Sequence, residues 1–158
     1  MELEFLQKEL ERVSEWVRFS DRKTAFLSVY YTALMTIFLN NIENIKKINE
    51  NNLLICILVI LIISFVIGIY FLVMSIFPRL KNNSTNKSLF YFSNIAGMKI
   101  IDFLENMENL TEQKAKKQII EQIYTNSEIA NQKMNNIKKS IKALIVSIVS
   151  LMILILMK

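Results

Sequence analysis

In the segment TAFLSVYYTALMTIFLNN, residues 24–41, hydroxyl side chains recur every four residues as Thr24, Ser28, Thr32 and Thr36. On a helix this spacing sets them along one face, with Tyr30 or Tyr31 near its edge. Small hydroxyl residues so placed let helices approach closely and hydrogen-bond across the contact; in an oligomer the same stripe could line a wetted pore. Ser64 and Gly68, and then Ala143 and Ser147, repeat the small-xxx-small spacing elsewhere in the chain. None of this makes or breaks bonds. The chain has no His, its single Cys is Cys56 inside an apolar run, and its acids stand singly among Lys and Asn. These absences disfavour a zinc site, a nucleophile–His pair, a disulfide framework and a paired general acid and base. No cofactor or metal is implied, and the chain is not expected to be an enzyme. Cys56 reads as a small lipid-facing or packed hydrophobe.

The elements that must carry these residues are set by hydropathy. Residues 53–74, LLICILVILIISFVIGIYFLVM, form a run of 22 residues without a charge. A helix of that length crosses a hydrocarbon core of about 30 Å. A 158-residue domain could hardly enclose it on all sides. The chain therefore reads as integral to a phospholipid bilayer. Residues 24–41 supply a shorter apolar segment, lengthened by the snorkelling stem of Lys23. The polar connector 40–52 joins it to the long run as a hairpin. Residues 141–158 supply a third segment, with 15 uncharged residues between Lys142 and Lys158. At 1.5 Å per residue they reach roughly 22 Å, so snorkelling lysines or local thinning must complete the span.

The sequence thus predicts an all-α membrane protein with three transmembrane helices. An N-terminal amphipathic helix (residues 1–23) precedes a transmembrane hairpin (24–77), a helical cytoplasmic region (78–140) and a third crossing (141–158). In the first helix Leu3, Leu6, Leu10, Val13, Trp16 or Val17, and Phe19 recur at helical spacing, with acids and bases on the other face. The opening 23 residues have no apolar signal-peptide core, so the first crossing is expected to direct insertion. Pro78 should end the long helix, and KNNSTNK (81–87) should form a loop. A helical region is expected over residues 89–109, and a further helix from Thr111 to about Lys139, with a local break near Asn126 and Ser127. No Gly, Pro or turn cluster lies between Lys133 and Ala143, so that helix should flow into the third crossing.

Basic residues set the orientation. Five Lys and Arg lie in residues 1–23 and ten between Arg79 and Lys139, against two in the connector. The N-terminus and residues 78–140 should therefore be cytoplasmic and the connector external, in a multi-pass inner-membrane protein. The net charge of +5 is placed to meet anionic lipid. No aromatic–basic interleaving points to nucleic acid.

Four stretches together resemble one family. They are WVRFSDRKTAFL (16–27), the apolar run ending in PRL (78–80), FYFSNI (90–95), and QIIEQIYTNSEIANQKM (118–134) before a last apolar segment. In this order they are similar to the transmembrane effector domain of Pycsar systems, the bacterial cyclic-nucleotide antiphage pathways. The resemblance covers about residues 10–157. It implies a small helical membrane protein that responds to a nucleotide messenger, directly or through a partner, and disrupts the inner membrane on infection. The family's Asp-x-Lys-Ala pattern falls on Asp21, Lys23 and, after the inserted Thr24, Ala25. Its Gln-x-Tyr, Ser and Lys pattern falls on Gln122, Tyr124, Ser127 and Lys133, with Met134 in place of the aromatic residue that follows.

The resemblance makes these positions candidates for ligand binding or regulation. Asp21 would pair with Arg22, Lys23 or a base near another crossing, while Lys23 would bind an anionic ligand or lipid phosphate. Alternatively Asp21 is a cap or first-turn acid and Lys23 an inside anchor. Gln122, Tyr124, Ser127 and Lys133 would bind phosphate or base edges, with Lys114, Lys116 and Lys117 widening a basic surface; the alternative is a solvated helix face. The expected activity is membrane disruption by a homo-oligomer on a cytoplasmic nucleotide signal. A constitutive structural or regulatory membrane subunit is the alternative, and a holin-like pore former explains the long cytoplasmic helices poorly.

Overall fold

Neither Gly nor Pro interrupts residues 3–40 or 112–156, and both stretches form single long helices. A computed structural model describes residues 2–43, 52–77 and 89–157. Its helices are α1 (Leu3–Asn40), α2 (Asn52–Ile76), α3 (Phe92–Ala96), α4 (Ile100–Glu108) and α5 (Glu112–Leu156). No strand occurs among the described residues. Most of the connector, the expected stop at Pro78 and the 81–87 loop lie outside the described residues.

α1 opens with Glu4 in its first turn, where a carboxylate meets the positive end of the helix dipole. Glu4 also pairs with Lys8 at 2.7 Å, an exposed i,i+4 contact worth a few tenths of a kcal/mol. α5 begins beside Thr111, whose Oγ1 accepts the Lys114 N–H at 3.4 Å. It runs for 45 residues through 133–143 without interruption, as the absence of breakers there implies.

One expectation gains detail and one fails. The helical region expected over 89–109 consists of two helices: α3 ends at Ala96, and Gly97 to Lys99 separate it from α4. Gly97 has the weakest helix preference after proline, and no side chain there compensates. Conversely, α5 does not break at Asn126 and Ser127. Ser127 Oγ donates to the Ile123 carbonyl at 2.7 Å, and Asn126 Nδ2 donates to Ser14 Oγ at 3.3 Å. Their polar groups find partners while the backbone stays helical.

The chain divides into two compact units, Met1–Arg18 with Arg79–Asn131, and Phe19–Pro78 with Gln132–Lys158. In the first, Leu6, Leu89, Ala115 and Ile119 are buried, and the Leu89 N–H donates to Gln118 Oε1 at 2.9 Å. In the second, residues 19–40 of α1, α2 and residues 132–156 of α5 pack around two apolar clusters. Leu27, Tyr31, Leu72, Ile137 and Leu144 form one. Leu34, Leu54, Leu61, Leu151 and Leu154 form the other.

Among the described residues two helices, α2 and α5, are long and apolar enough to cross a membrane. Only 22% and 39% of their apolar stretches are buried, which is the opposite of a soluble core helix. Residues 24–40 of α1 do not join them on length and composition. Two tyrosines and four hydroxyl residues dilute that segment.

Candidate functional site

The second unit turns its polar groups inward. Ser20, Ser75, Ser140 and Ser147 are fully buried, while Phe26, Val29 and Tyr30 of α1, Val66 and Tyr70 of α2, and Ile145 and Val149 of α5 are exposed. The buried hydroxyls form a seam that ties the three helices together. Thr24 Oγ1 and Ser75 Oγ lie 2.9 Å apart between α1 and α2, and Ser64 Oγ and Ser147 Oγ lie 2.8 Å apart between α2 and α5. All three helices meet at Tyr31. Its hydroxyl donates to the Ser140 carbonyl at 2.7 Å, and Ser140 Oγ donates to the Gly68 carbonyl at 2.9 Å. The absence of a side chain at Gly68 makes this possible. A Cβ there would stand 1.9 Å from the Tyr31 hydroxyl oxygen and 2.7 Å from Cζ.

At the end of the bundle where residues 19–24 meet 132–136, Lys133 Nζ donates to Asp21 Oδ1. The Lys133 side chain is 9% exposed and that of Asp21 52%. Close by in sequence, Asn136 Nδ2 donates to the Met74 carbonyl at 3.0 Å, satisfying an acceptor in the last turn of α2. Lys23 lies over the Phe19 ring at 4.4 Å and Lys139 over Phe71 at 5.0 Å. Both contacts are cation–π pairs at the rim.

The candidates from the sequence therefore separate into groups. Asp21 and Lys133 come together, from the two ends of the family pattern, as one ion pair. Lys23 takes no part in that pair. Gln122 and Tyr124 lie on roughly opposite sides of α5, because two residues turn a helix by about 200°. Gln122 Nε2 is buried without a hydrogen-bond partner. Tyr124 is exposed, and its hydrogen bond to Glu128 pushes the phenol above its usual range. Ser127 is bound back onto its own helix.

The hydroxyl stripe also splits. Thr24 joins the buried seam, whereas Ser28, Thr32 and Thr36 are exposed and bond to carbonyls three or four residues back, at 2.7, 2.9 and 3.0 Å. The buried face of α1 is instead Thr24, Leu27, Tyr31 and Leu34. Ser64 and Gly68 lie at helix contacts within the chain. Sequence reasoning missed Ser20, Ser75, Ser140 and Asn136. The seven-residue spacing of Ser140 and Ser147, and the four-residue spacing of Ser20 and Thr24, were the available signals.

Neutral hydroxyls, carbonyls and one ion pair join the helices of this unit. Among the described residues no cluster of His, Cys, Asp or Glu could hold a metal ion. The ion pair gives an asymmetric prediction. Asp21→Ala leaves a nearly buried ammonium uncompensated and should cost about 2 kcal/mol, below the full range for buried pairs because Asp21 is half solvated. Lys133→Met leaves a carboxylate that water can reach, and should cost less than about 1 kcal/mol. Thermal unfolding of the detergent-solubilised protein measures both, and equal losses would contradict the burial asymmetry.

A scan against protein-family models matches the Pycsar effector protein domain over residues 5–158. No curated protein and no solved structure matches the chain. The inward polar seam and apolar exterior agree with a membrane location, and the matched residues take in nearly every element described above. The chain belongs to the Pycsar effector protein family, the membrane effectors of antiphage cyclic-nucleotide signalling.

Proposed function

We propose that this protein is a three-crossing inner-membrane effector that assembles into homo-oligomers and breaches the membrane when a cytoplasmic nucleotide signal arrives. The inside-out polarity of the second unit carries this reading. Within that bundle, residues 24–40 of α1 expose Phe26, Val29, Met35 and Ile37 just as α2 exposes Val59, Ile63 and Val66. A helix with this outer face, packed on two helices that can span, is supported as a third crossing. Its Thr and Ser hydroxyls face the seam or bond to their own backbone, which lowers their cost in lipid. The exposed Ser28, Thr32 and Thr36 offer a small-residue face on which copies of the chain could approach.

The basic-residue bias sets the N-terminus and residues 78–140 in the cytoplasm. Once Cys56 is replaced, Asn40→Cys and Met157→Cys should react with an impermeant thiol reagent in intact cells, and Gln113→Cys should be protected. Labelling of Gln113→Cys alone would reverse the orientation. Labelling of Met157→Cys but not Asn40→Cys would mean that α2 or α5 does not span, and labelling of Glu2→Cys together with Asn40→Cys would remove the first crossing. For the activity itself, purified protein in dye-loaded vesicles should release dye on addition of the cognate nucleotide. A response with no dye release would favour a constitutive structural or regulatory subunit.

A further inference from the structure

In the second unit, α2 and α5 run antiparallel, and their hydrogen bonds fix the register. Asn136 donates to the Met74 carbonyl, Ser140 to the Gly68 carbonyl, and the Ser64 and Ser147 hydroxyls meet at 2.8 Å. Lys139 accordingly lies over the Phe71 ring at 5.0 Å, and Lys142 comes level with Gly68. Yet α2 carries no charge through Phe77, nine residues farther on, and α1 carries none after Lys23 until Glu43. At 1.5 Å per residue, Lys142 sits roughly 13 Å inside the apolar layer that its neighbours define. Its four-carbon stem reaches back only about 6 Å. Lys138, Lys139 and Lys142 are exposed and fall within about 100° of one another around α5. That side continues into the exposed Ile145, Val146 and Val149, so the three ammoniums look toward lipid and away from the polar seam.

We infer that this face of α5 binds the headgroup of an anionic phospholipid and draws it below the surrounding interface, an assignment that rests on the three-crossing reading above. The bundle offers these lysines no carboxylate. Among its described residues the acids are Asp21, taken by Lys133, and Glu43, at the far end of α1. Uncompensated ammoniums at this depth are costly, and entry of headgroups and water with local thinning of the bilayer lowers that cost. A lipid phosphate supplies both the countercharge and strong acceptor oxygens. A zwitterionic headgroup would return a cation to the site, which favours a lipid with net negative charge. Exposed tyrosines mark the same level. Tyr70 adjoins Phe71 with ring centroids 5.4 Å apart, and Tyr30 precedes the Tyr31 that bonds Ser140. Such tyrosines suit a membrane–water interface. An interface drawn down to Lys142 also matches the short apolar stretch of α5, roughly 22 Å against the usual ~30 Å.

The full chain in phosphatidylcholine vesicles, with a trace of spin-labelled phosphatidylglycerol or spin-labelled phosphatidylcholine, tests this through the share of each lipid immobilised on the protein. Phosphatidylglycerol should be preferred. Lys139→Gln and Lys142→Gln should each lower that preference about fivefold, the effect of one basic residue beside anionic lipid. Lys142→Arg should keep it, and Lys8→Gln, whose charge is already paired with Glu4, should leave it unchanged. Depth is read separately, after Cys56→Ser. A nitroxide on Tyr70→Cys should be open to a water-soluble relaxation reagent in the parent and shielded in the Lys139→Gln/Lys142→Gln double variant. A nitroxide on Val149→Cys should be shielded in both. Equal association of the two lipids, a preference indifferent to these lysines, or displacement of the labelled lipid by inorganic phosphate would overturn the site. An open Val149→Cys label would show that α5 does not cross, and the site falls with that crossing. A shielded Val149→Cys label without a lysine-dependent preference overturns the site alone and leaves the crossing standing.

Discussion

Gly68→Val should lower the stability of the helical bundle by about 3 kcal/mol or more, through overpacking and the loss of a buried hydrogen bond together. The first Cβ atom alone would meet the Tyr31 hydroxyl oxygen at 1.9 Å and ring carbons at 2.7 and 2.9 Å. The ring cannot simply swing aside. Its hydroxyl is bound to the Ser140 carbonyl, and Phe65 packs edge-on against it with centroids 5.6 Å apart. Displacing the ring therefore costs its packing and leaves a buried carbonyl without this donor. Thermal unfolding in detergent measures the loss. Tyr31→Phe should recover part of the loss caused by Gly68→Ala, since it removes the nearest clashing atom but not the ring. A Gly68→Val protein as stable as the parent would show that α1 and α2 do not approach closely at this point.

Lys138→Pro should abolish signal-dependent depolarisation while leaving the protein in the membrane. Proline at this exposed position removes an internal hydrogen bond and clashes with the preceding turn, costing about 3 kcal/mol or more of local helix stability. Lys138 lies on α5 between the Lys133 ion pair and Ser140, which holds both Tyr31 and Gly68. A kink there changes the direction in which α5 enters its apolar stretch, residues 143–157, without altering the residues that insert. A voltage-sensitive dye in cells that produce the messenger reads the outcome, with Lys138→Ala as the variant that should still respond. Full depolarisation by Lys138→Pro would mean that an unbroken α5 is not how the signal reaches the membrane.

Membrane residence, helical class and family were legible in the amino-acid sequence, because each rests on local order. A charge-free run of 22 residues, the scarcity of Gly and Pro, and the sequence order of four short motifs need no knowledge of what packs where. The continuity of α5 through residues 133–143 was legible for the same reason: a helix without a breaker continues. The sequence also marked residues 89–109 as a helical region, and the structure divides that region at Gly97 into α3 and α4.

Only the tertiary structure decided which polar residues work together. Hydroxyl periodicity identified a face of α1 but not its partner, and about one helical turn separates Thr24 in the seam from Ser28 outside it. The Asp21–Lys133 pair joins residues 112 positions apart, and Tyr31–Ser140 joins residues 109 apart. Hydrogen bonds and ion pairs act over a few ångströms, so such partnerships exist only once the helices are packed. The three lysines at the start of α5 make the same point. Their sequence reads as one basic cluster, but Lys116 is the one that pairs with Glu112, because residues four apart share a helix face while Lys114 and Lys117 are turned about 200° and 100° from Lys116.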